Sequence, residues 1–165
     1  MLVVGLDPGL RRTGWGVIEV RGSRLSHVAH GFVASDAALS LAERLRQLYE
    51  GLLAMLGEQR PAEASVEETF VNKNPTSTLK LGQARGVALC AAAMAGVPVI
   101  EYSPNLIKKC IVGTGHAQKQ QIDLMVRRLL PTAHDLGPDA ADALAAAICH
   151  AHFRQTQVRL EAALR

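Results

Sequence analysis

The sequence predicts an α/β domain in which helices cover a mixed β-sheet. Its first part contains short apolar segments joined by tight turns, and the remainder alternates helical periodicity with single short strands. Consecutive strands with short connections pair antiparallel, whereas strands separated by helices can pair in parallel, so the order βββαβαβααα implies a mixed sheet. The length of 165 residues suits one domain, which we place at residues 1–155 with a polar tail at residues 156–165.

The opening strands are predicted from apolar runs that turn residues bound. The run Leu2–Leu6 lies before Pro8-Gly9 and is typical of a strand buried on both faces. A second strand is expected over Trp15–Val20 and a third over Leu25–Val33, with a hairpin turn at Arg21-Gly22-Ser23. These strands form an antiparallel meander.

The period of the apolar residues then changes from strand-like to helical. Residues of one helical face recur at spacings of four and three: Leu41, Leu45, Leu48, Leu52 and Met55. This pattern predicts a helix from about Ser40, a good N-cap residue, to Gly57. A short strand is expected over Glu63–Glu67.

The second half alternates loops, helices and one more strand. A polar loop is expected over Phe70–Ser77, followed by an Ala-rich helix over Thr78–Ala95 and a strand over Val97–Glu101. Ser103-Pro104 combines an N-cap with Pro at the first helical position and predicts a short helix. Two further helices follow, one lined by Ile122, Met125, Val126, Leu129 and Leu130, and one from Asp139 to about Gln155, after which we expect the tail to fray.

Composition excludes several classes of protein. No apolar run reaches the length of about 20 residues that a membrane span needs, and no basic segment precedes a long apolar stretch at the N-terminus. We therefore expect a cytoplasmic protein with no membrane association. Cys90, Cys110 and Cys149 are odd in number and widely spaced, so we interpret them as small core residues in a reducing compartment. The net charge of +3 permits a polyanionic partner without requiring one.

Two acidic residues end predicted strands. Asp7 follows the first strand, and the carboxyl ends of strands are where α/β sheets bind ligands. Glu67 ends the strand over Glu63–Glu67, and Glu68 points to the other face. Taken singly, Asp7 before Pro-Gly is more often a turn former, and Glu67 is more often a solvated strand end.

A second acidic pair, Asp139 and Asp142, lies on one face at the start of the last helix. Such a pair commonly complements the helix dipole, but the surrounding alanines indicate a largely buried helix, in which carboxylates need a compensating charge. If the first and fourth strands pair, all four carboxylates lie at one point. Hard oxygen ligands select Mg²⁺ or Mn²⁺, which in pairs support phosphodiester hydrolysis.

The same residues carry a family resemblance. The motifs are Gly5-Leu6-Asp7-Pro8-Gly9, Thr13-Gly14-Trp15-Gly16, Val66-Glu67-Glu68-Thr69-Phe70 with Asn72-Lys73-Asn74, Lys80-Leu81-Gly82-Gln83-Ala84-Arg85-Gly86, Val112-Gly113-Thr114-Gly115 and Asp139-Ala140-Ala141-Asp142-Ala143-Leu144-Ala145. Through their joint order the chain resembles RuvC-type Holliday junction resolvases along nearly its whole length.

The resemblance implies an RNase H-like fold with a five-stranded mixed sheet flanked by helices. It also implies a homodimer that resolves four-way junction DNA by paired symmetric nicks, in homologous recombination and DNA repair, beside the RuvA–RuvB branch-migration complex. The cofactor implied is Mg²⁺, with Mn²⁺ as a substitute and two ions per subunit. The catalytic metal ligands implied are Asp7, Glu67, Asp139 and Asp142.

The resemblance further implies which residues contact DNA. Phe70 matches an aromatic residue that packs on an unpaired base, although an anchor of its loop is the alternative interpretation. Lys108 and Lys119 match basic residues near the scissile phosphate. We also assign DNA contacts to Lys73, Lys80 and Arg85. Glu68, where many relatives carry Gln, receives no catalytic role.

Two histidines and the Ala-rich helix receive more ordinary interpretations. His150 and His152 have poor spacing for a zinc site on a helix, so we interpret them as structural. The stretch Gly86–Gly96 is either a buried helix or, as the resemblance implies, part of a dimer interface.

Three alternatives remain open. The segment from Asp7 to Gly14 also resembles the phosphate loop of actin-like and sugar-kinase proteins, which need two such domains. A non-enzymatic junction-binding protein would not require the four carboxylates. A related nuclease that acts on RNA or linear DNA is the third alternative.

Overall fold

The structure is a computed structural model that describes residues 1–69 and 74–164. The elements in these ranges are β1 (Leu2–Asp7), β2 (Arg12–Arg21), β3 (Arg24–Ala34), α1 (Leu41–Gln59), β4 (Glu63–Glu67), α2 (Pro75–Met94), β5 (Val99–Tyr102), α3 (Pro104–Val112), α4 (Lys119–Leu129) and α5 (Pro138–Ala163). This order confirms the predicted α/β sequence of elements.

The strands form one mixed sheet in the order β3-β2-β1-β4-β5. β1, β2 and β3 pair antiparallel, which confirms the predicted meander, whereas β4 pairs in parallel with both β1 and β5. The expectation that the first and fourth strands are neighbours is therefore correct. The carboxyl ends of β1, β4 and β5 lie at the same edge of the sheet.

Helices cover both faces of this sheet. Val4, Leu6 and Val66 pack beneath α1 and α2, while Val3 and Ile18 pack beneath α3, α4 and α5. Successive side chains of a strand point to opposite faces, which is why neighbouring residues of β1 belong to different cores. All of these side chains are fully buried.

Helix α5 lies directly on the sheet because glycines of β1 and β2 leave room for it. A β-carbon at Gly5 would collide with the carbonyl oxygen of Ala143, and one at Gly14 would collide with the carbonyl oxygen of Asp139. Glycine in the interior of a strand commonly marks such a close backbone approach. The start of α5 is thereby held against the end of β1.

Several helix ends were predicted correctly and others were not. Ser40 and Ser103 are N-caps, as expected, and both accept a backbone hydrogen bond. Helix α1 passes through Gly57 and ends two residues later, where Arg60 adopts the left-handed conformation with φ 46°. Helix α2 begins at Pro75, inside the predicted loop, because the Asn74 side chain accepts hydrogen bonds from the first turn.

Other boundaries differ at β2 and α5. β2 begins at Arg12 because its ladder with β3 continues to the pair of Arg12 and Ala34. Helix α5 continues through residues 156–163, so the predicted end near Gln155 is wrong. This segment contains good helix formers, and Gln155 Nε2 donates a hydrogen bond to the Gly22 carbonyl at 2.8 Å. In the described ranges, none of the helices combines the length and apolar character that crossing a membrane requires.

Candidate active site

Asp7 and Glu67 stand side by side at the carboxyl edge of the sheet. β1 and β4 pair with Leu6 opposite Val66, so the next residue of each strand lies at the same level. Leu6 and Val66 point into the core under α1 and α2. By the alternation of a strand, Asp7 and Glu67 point to the opposite face, which α5 covers.

Helix α5 brings Asp142 into the same place. Asp7, Glu67 and Asp142 line one cleft of about 240 Å³, whose remaining walls come from α3, α4 and α5: Pro104, Ile107, Lys108, Lys119, Ile122 and Ala145. Asp139 lies one turn earlier on α5 and faces an adjacent groove beside Arg11, Arg12 and Leu81. The predicted acidic pair of α5 is thus divided between two neighbouring concavities.

The charge of these carboxylates is only partly compensated. Burial raises the pKa of Asp7 to about 8, and the charges of Glu67, Asp142 and Asp139 add to this effect. Burial, together with the charge of Asp142, raises the pKa of Glu67 to about 7, against the opposing effects of Lys108 and Lys119. Burial and mutual repulsion therefore oppose ionisation of these carboxylates. A bound cation would offset that repulsion, so the cluster is suited to binding one.

Lys119 is in direct contact with this cluster. Its Nζ donates a hydrogen bond to Asp142 Oδ2 at 2.5 Å. Burial lowers the pKa of Lys119, but the hydrogen bond to Asp142 and the charges of Asp7 and Asp139 outweigh it and raise the pKa overall. The side chain of Lys119 remains 63% exposed, so its ammonium group is accessible to a ligand at the mouth of the cleft.

The four carboxylates do not converge on one point. Across residues 1–69 and 74–164, no three histidine, cysteine or acidic side chains lie close enough to hold one ion together. Lys119 holds Asp142, and Asp139 faces the adjacent groove. The chemistry of the donors nevertheless fits Mg²⁺ or Mn²⁺, because the hard carboxylate oxygens carry excess negative charge that Lys108 and Lys119 only partly neutralise.

The predicted DNA-binding residues lie in different places. Lys108 lines the cleft, and Lys80 is exposed on α2. Arg85 points to β5, where its Nε and Nη2 donate to the carboxylate oxygens of Glu101 at 2.5 and 2.6 Å. Phe70 and Lys73 lie outside the described residues.

The histidines and cysteines also differ in their surroundings. His150 is buried, and its ring nitrogens contact Tyr102 Oη at 2.9 Å and Glu63 Oε2 at 2.7 Å, which fits its structural interpretation. Cys149 is buried as expected, but Cys90 is exposed on α2 and does not belong to the core. Its position on the outer face of that helix explains the difference.

Sequence reasoning missed the contribution of the glycines to this site. Gly5 and Gly14 belong to the sequence motifs, and they also determine how closely α5 approaches β1 and β2. The signal was present, since both glycines interrupt otherwise apolar strands. The Ile107, Ile122 and Ala145 side chains of the cleft wall carried no comparable signal, because apolar residues on a helix face look the same whether they line a core or a cleft.

The chain is similar to known proteins over most of its length. A family model described as crossover junction endodeoxyribonuclease RuvC matches residues 3–150. A protein of that name from Rhodospirillum rubrum is 62% identical over 154 residues, which are 93% of this chain and 91% of the relative.

Solved structures agree with this similarity. The RuvC of T. thermophilus in complex with a Holliday junction substrate superposes with a TM-score of 0.88 at 35% identity, covering 95% of this chain and 96% of the other. The yeast mitochondrial Holliday junction resolvase Ydc2 has a TM-score of 0.68 at 10% identity, covering 95% of this chain and 81% of the other, and shows that the fold is shared.

Proposed function

The chain belongs to the RuvC family of crossover junction endodeoxyribonucleases, and we propose that the cleft of Asp7, Glu67 and Asp142 is where it hydrolyses junction DNA. It is a junction-resolving endonuclease with an RNase H-like sheet. The observation that carries the assignment of the site is the side-by-side position of Asp7 and Glu67, whose pKa values burial raises to about 8 and about 7. A half-buried cluster of this kind is expected at a catalytic centre rather than at a solvated strand end.

The cofactor we propose is Mg²⁺, for which Mn²⁺ can substitute, with two ions in each subunit. Asp7, Glu67 and Asp142 would hold them, and Asp139 would complete the set from the adjacent groove. Such ions supply a low pKa for bound water and stabilise the leaving oxygen of a phosphodiester. Support comes from the donor types and from the negative charge of the cleft, which its lysines only partly compensate.

The basic residues of the cleft bind and orient the phosphate. Lys108 on α3 and Lys119 on α4 line the same cleft as the carboxylates. Their ammonium groups stabilise negative charge that develops on the phosphate oxygens in the transition state. Because Lys119 also bonds to Asp142, binding of cations at the carboxylates would release its ammonium group toward the substrate.

Further contacts hold the arms of the four-way junction. Lys80 is exposed near the start of α2 and is free to approach a phosphate backbone. When DNA binds, the Arg85 guanidinium would leave its ion pair with Glu101 and pair with a phosphate of the DNA. We retain Phe70 as a platform for an unpaired base and Lys73 as a backbone contact.

Two opposed strands of a junction require two equivalent active sites, which a two-fold homodimer provides. Helix α2 is a suitable interface because apolar and small residues are exposed along one of its faces, at spacings of three and four: Leu79, Gly82, Gly86, Cys90 and Ala93. We propose that the homodimer makes symmetric nicks in homologous recombination and DNA repair, in the cytoplasm and beside the RuvA–RuvB complex.

A cleavage assay tests this function. End-labelled four-way junction, linear duplex and RNA–DNA hybrid are each incubated with the protein, with and without Mg²⁺, beside the variant Asp7→Asn. We expect paired nicks in the junction alone, dependent on Mg²⁺ and abolished in Asp7→Asn. Equal cutting of linear duplex, or undiminished cleavage by Asp7→Asn, would contradict the proposal.

A further inference from the structure

A cluster of two thiols and one imidazole lies where α3 contacts α5. Cys110 Sγ on α3 is 3.4 Å from His152 Nδ1 on α5. Cys149, one turn before His152 on the same helix face, belongs to the buried cluster against which Cys110 packs. Neither the family resemblance nor the proposed chemistry uses these residues.

The two sulfur atoms differ in their access to solvent. Cys110 is partly exposed and lines a surface pocket of about 330 Å³, together with Leu106, Lys109, His152, Phe153 and Thr156. Cys149 is fully buried behind it. A small oxidant in the pocket therefore reaches Cys110 first and Cys149 only through Cys110.

The two thiols also differ in how readily they lose their protons. The interaction with the Cys149 thiol lowers the pKa of Cys110, and His152 adds to this effect against the influence of burial. The pKa of Cys149 is raised by its interaction with Cys110 and by burial. The accessible sulfur is thus the better nucleophile, and the buried sulfur keeps its proton.

We propose that Cys110 and Cys149 form a peroxide-sensitive dithiol that, when oxidised to a disulfide, joins α3 to α5 beside the active-site cleft. Transient disulfides of this kind are the form in which cytosolic proteins sense oxidants. The Cys110 thiolate attacks hydrogen peroxide, which gives a sulfenic acid, and the departing hydroxide takes a proton from the His152 imidazolium to become water. The Cys149 sulfur then displaces hydroxide from the sulfenic acid, and the thiol proton converts that hydroxide to a second water.

The cross-link would act on the cleft through the two helices that it joins. Lys108, two residues before Cys110, lines the cleft from α3, and Asp142 lines it from α5 about two turns before Cys149. Fixing α3 against α5 would restrict the approach of Lys108 to a phosphate bound in the cleft. This consequence rests on the proposed function, whereas formation of the disulfide does not.

Peptide mapping after treatment with hydrogen peroxide tests the chemistry. We expect a disulfide between Cys110 and Cys149, with exposed Cys90 left as a thiol. Cys149→Ala should stop at a sulfenic acid on Cys110 that dimedone traps, and His152→Ala should slow oxidation of Cys110 by about tenfold. Oxidation of Cys90 before Cys110, or disulfides that join Cys90 of two chains instead, would overturn the proposal.

Cleavage of four-way junction by the same samples tests the coupling to the cleft. We expect oxidised wild type to cut several-fold more slowly, dithiothreitol to restore the rate, and Cys149→Ala to keep its rate after peroxide. If the disulfide forms but the cleavage rate does not change, the proposed effect of oxidation on the cleft is wrong, and the proposed endonuclease function is unaffected. Absence of cleavage by the reduced protein would contradict the proposed function. Peptide mapping would still show whether Cys110 and Cys149 form a disulfide.

Discussion

The carbonyl oxygen of Ala143 on α5 occupies the space that a β-carbon on Gly5 of β1 would need. This contact sets the depth at which α5 lies on the sheet. Gly5 is two residues before Asp7, and Ala143 is one residue after Asp142. Because Asp142 reaches the cleft only from a helix in this position, the missing side chain of Gly5 is as necessary to the site as the carboxylates themselves.

Gly5→Ala should destabilise the protein strongly. The added methyl group meets backbone atoms of α5, which cannot rotate away as a side chain can, so we expect a loss of about 2–4 kcal/mol in the free energy of unfolding, measured by urea denaturation. Gly57→Ala is the matched control, because a β-carbon there meets no atom within 4 Å and the residue lies inside a helix. It should stabilise by about 0.5–1 kcal/mol, and equal effects of the two changes would contradict the close approach.

The position of Asp7 could be predicted from the sequence, but the depth of α5 could not. An apolar run that ends in Asp-Pro-Gly is a local pattern, and the order of elements allows the pairing of β1 with β4 that the structure shows. The packing of Gly5 beneath Ala143 joins residues far apart in the chain, so no periodicity reports it. Likewise, nothing local in the sequence distinguishes Asp142, which faces the cleft, from Asp139, which faces the adjacent groove.

Asp7→Asn should stabilise the protein in the absence of divalent cations at neutral and alkaline pH. The pKa of Asp7 rises from 3.8 to about 8 in the folded state, so the folded state binds more protons than the unfolded state between these values. The contribution of Asp7 to stability is therefore fully present below pH 4 and is lost as the pH rises through about 8. We expect Asp7→Asn to raise Tm by about 5 °C at pH 8, with little difference at pH 4.

The matched control for Asp7→Asn is Asp123→Asn, which alters an exposed carboxylate paired with Arg127 on one helix. It should change Tm by less than about 1 °C at pH 8, since exposed pairs of this spacing contribute little. Added Mg²⁺ should raise Tm of the wild type by mass action and have a much smaller effect on Asp7→Asn. If the difference in Tm between Asp7→Asn and wild type does not vary with pH, burial does not raise the pKa of the Asp7 carboxyl group.

Lys108→Ala should slow cleavage far more than Lys109→Ala. The two lysines are adjacent on α3, but Lys108 lines the carboxylate cleft whereas Lys109 lines the pocket of Cys110. Removal of one charge that stabilises the transition state commonly lowers the rate by about 10²-fold, so we expect a loss of that order for Lys108→Ala under single-turnover conditions. Lys109→Ala should retain the wild-type rate within about twofold, and a similar loss in both variants would indicate general attraction of DNA instead.

Arg85 and Glu101 should show a measurable coupling energy in the free protein. Their bond is bidentate, and each side chain is only 28% exposed, so water screens the pair less than it screens an ordinary surface pair. Urea denaturation of Arg85→Ala, Glu101→Gln and the double variant should give a coupling of about 1 kcal/mol, compared with about 0.3 kcal/mol for the more exposed pair of Arg46 and Glu50. A coupling near zero would mean that the Arg85 guanidinium is already available to a ligand. The expected value would mean that DNA has to displace Glu101 before it can pair with Arg85, as proposed.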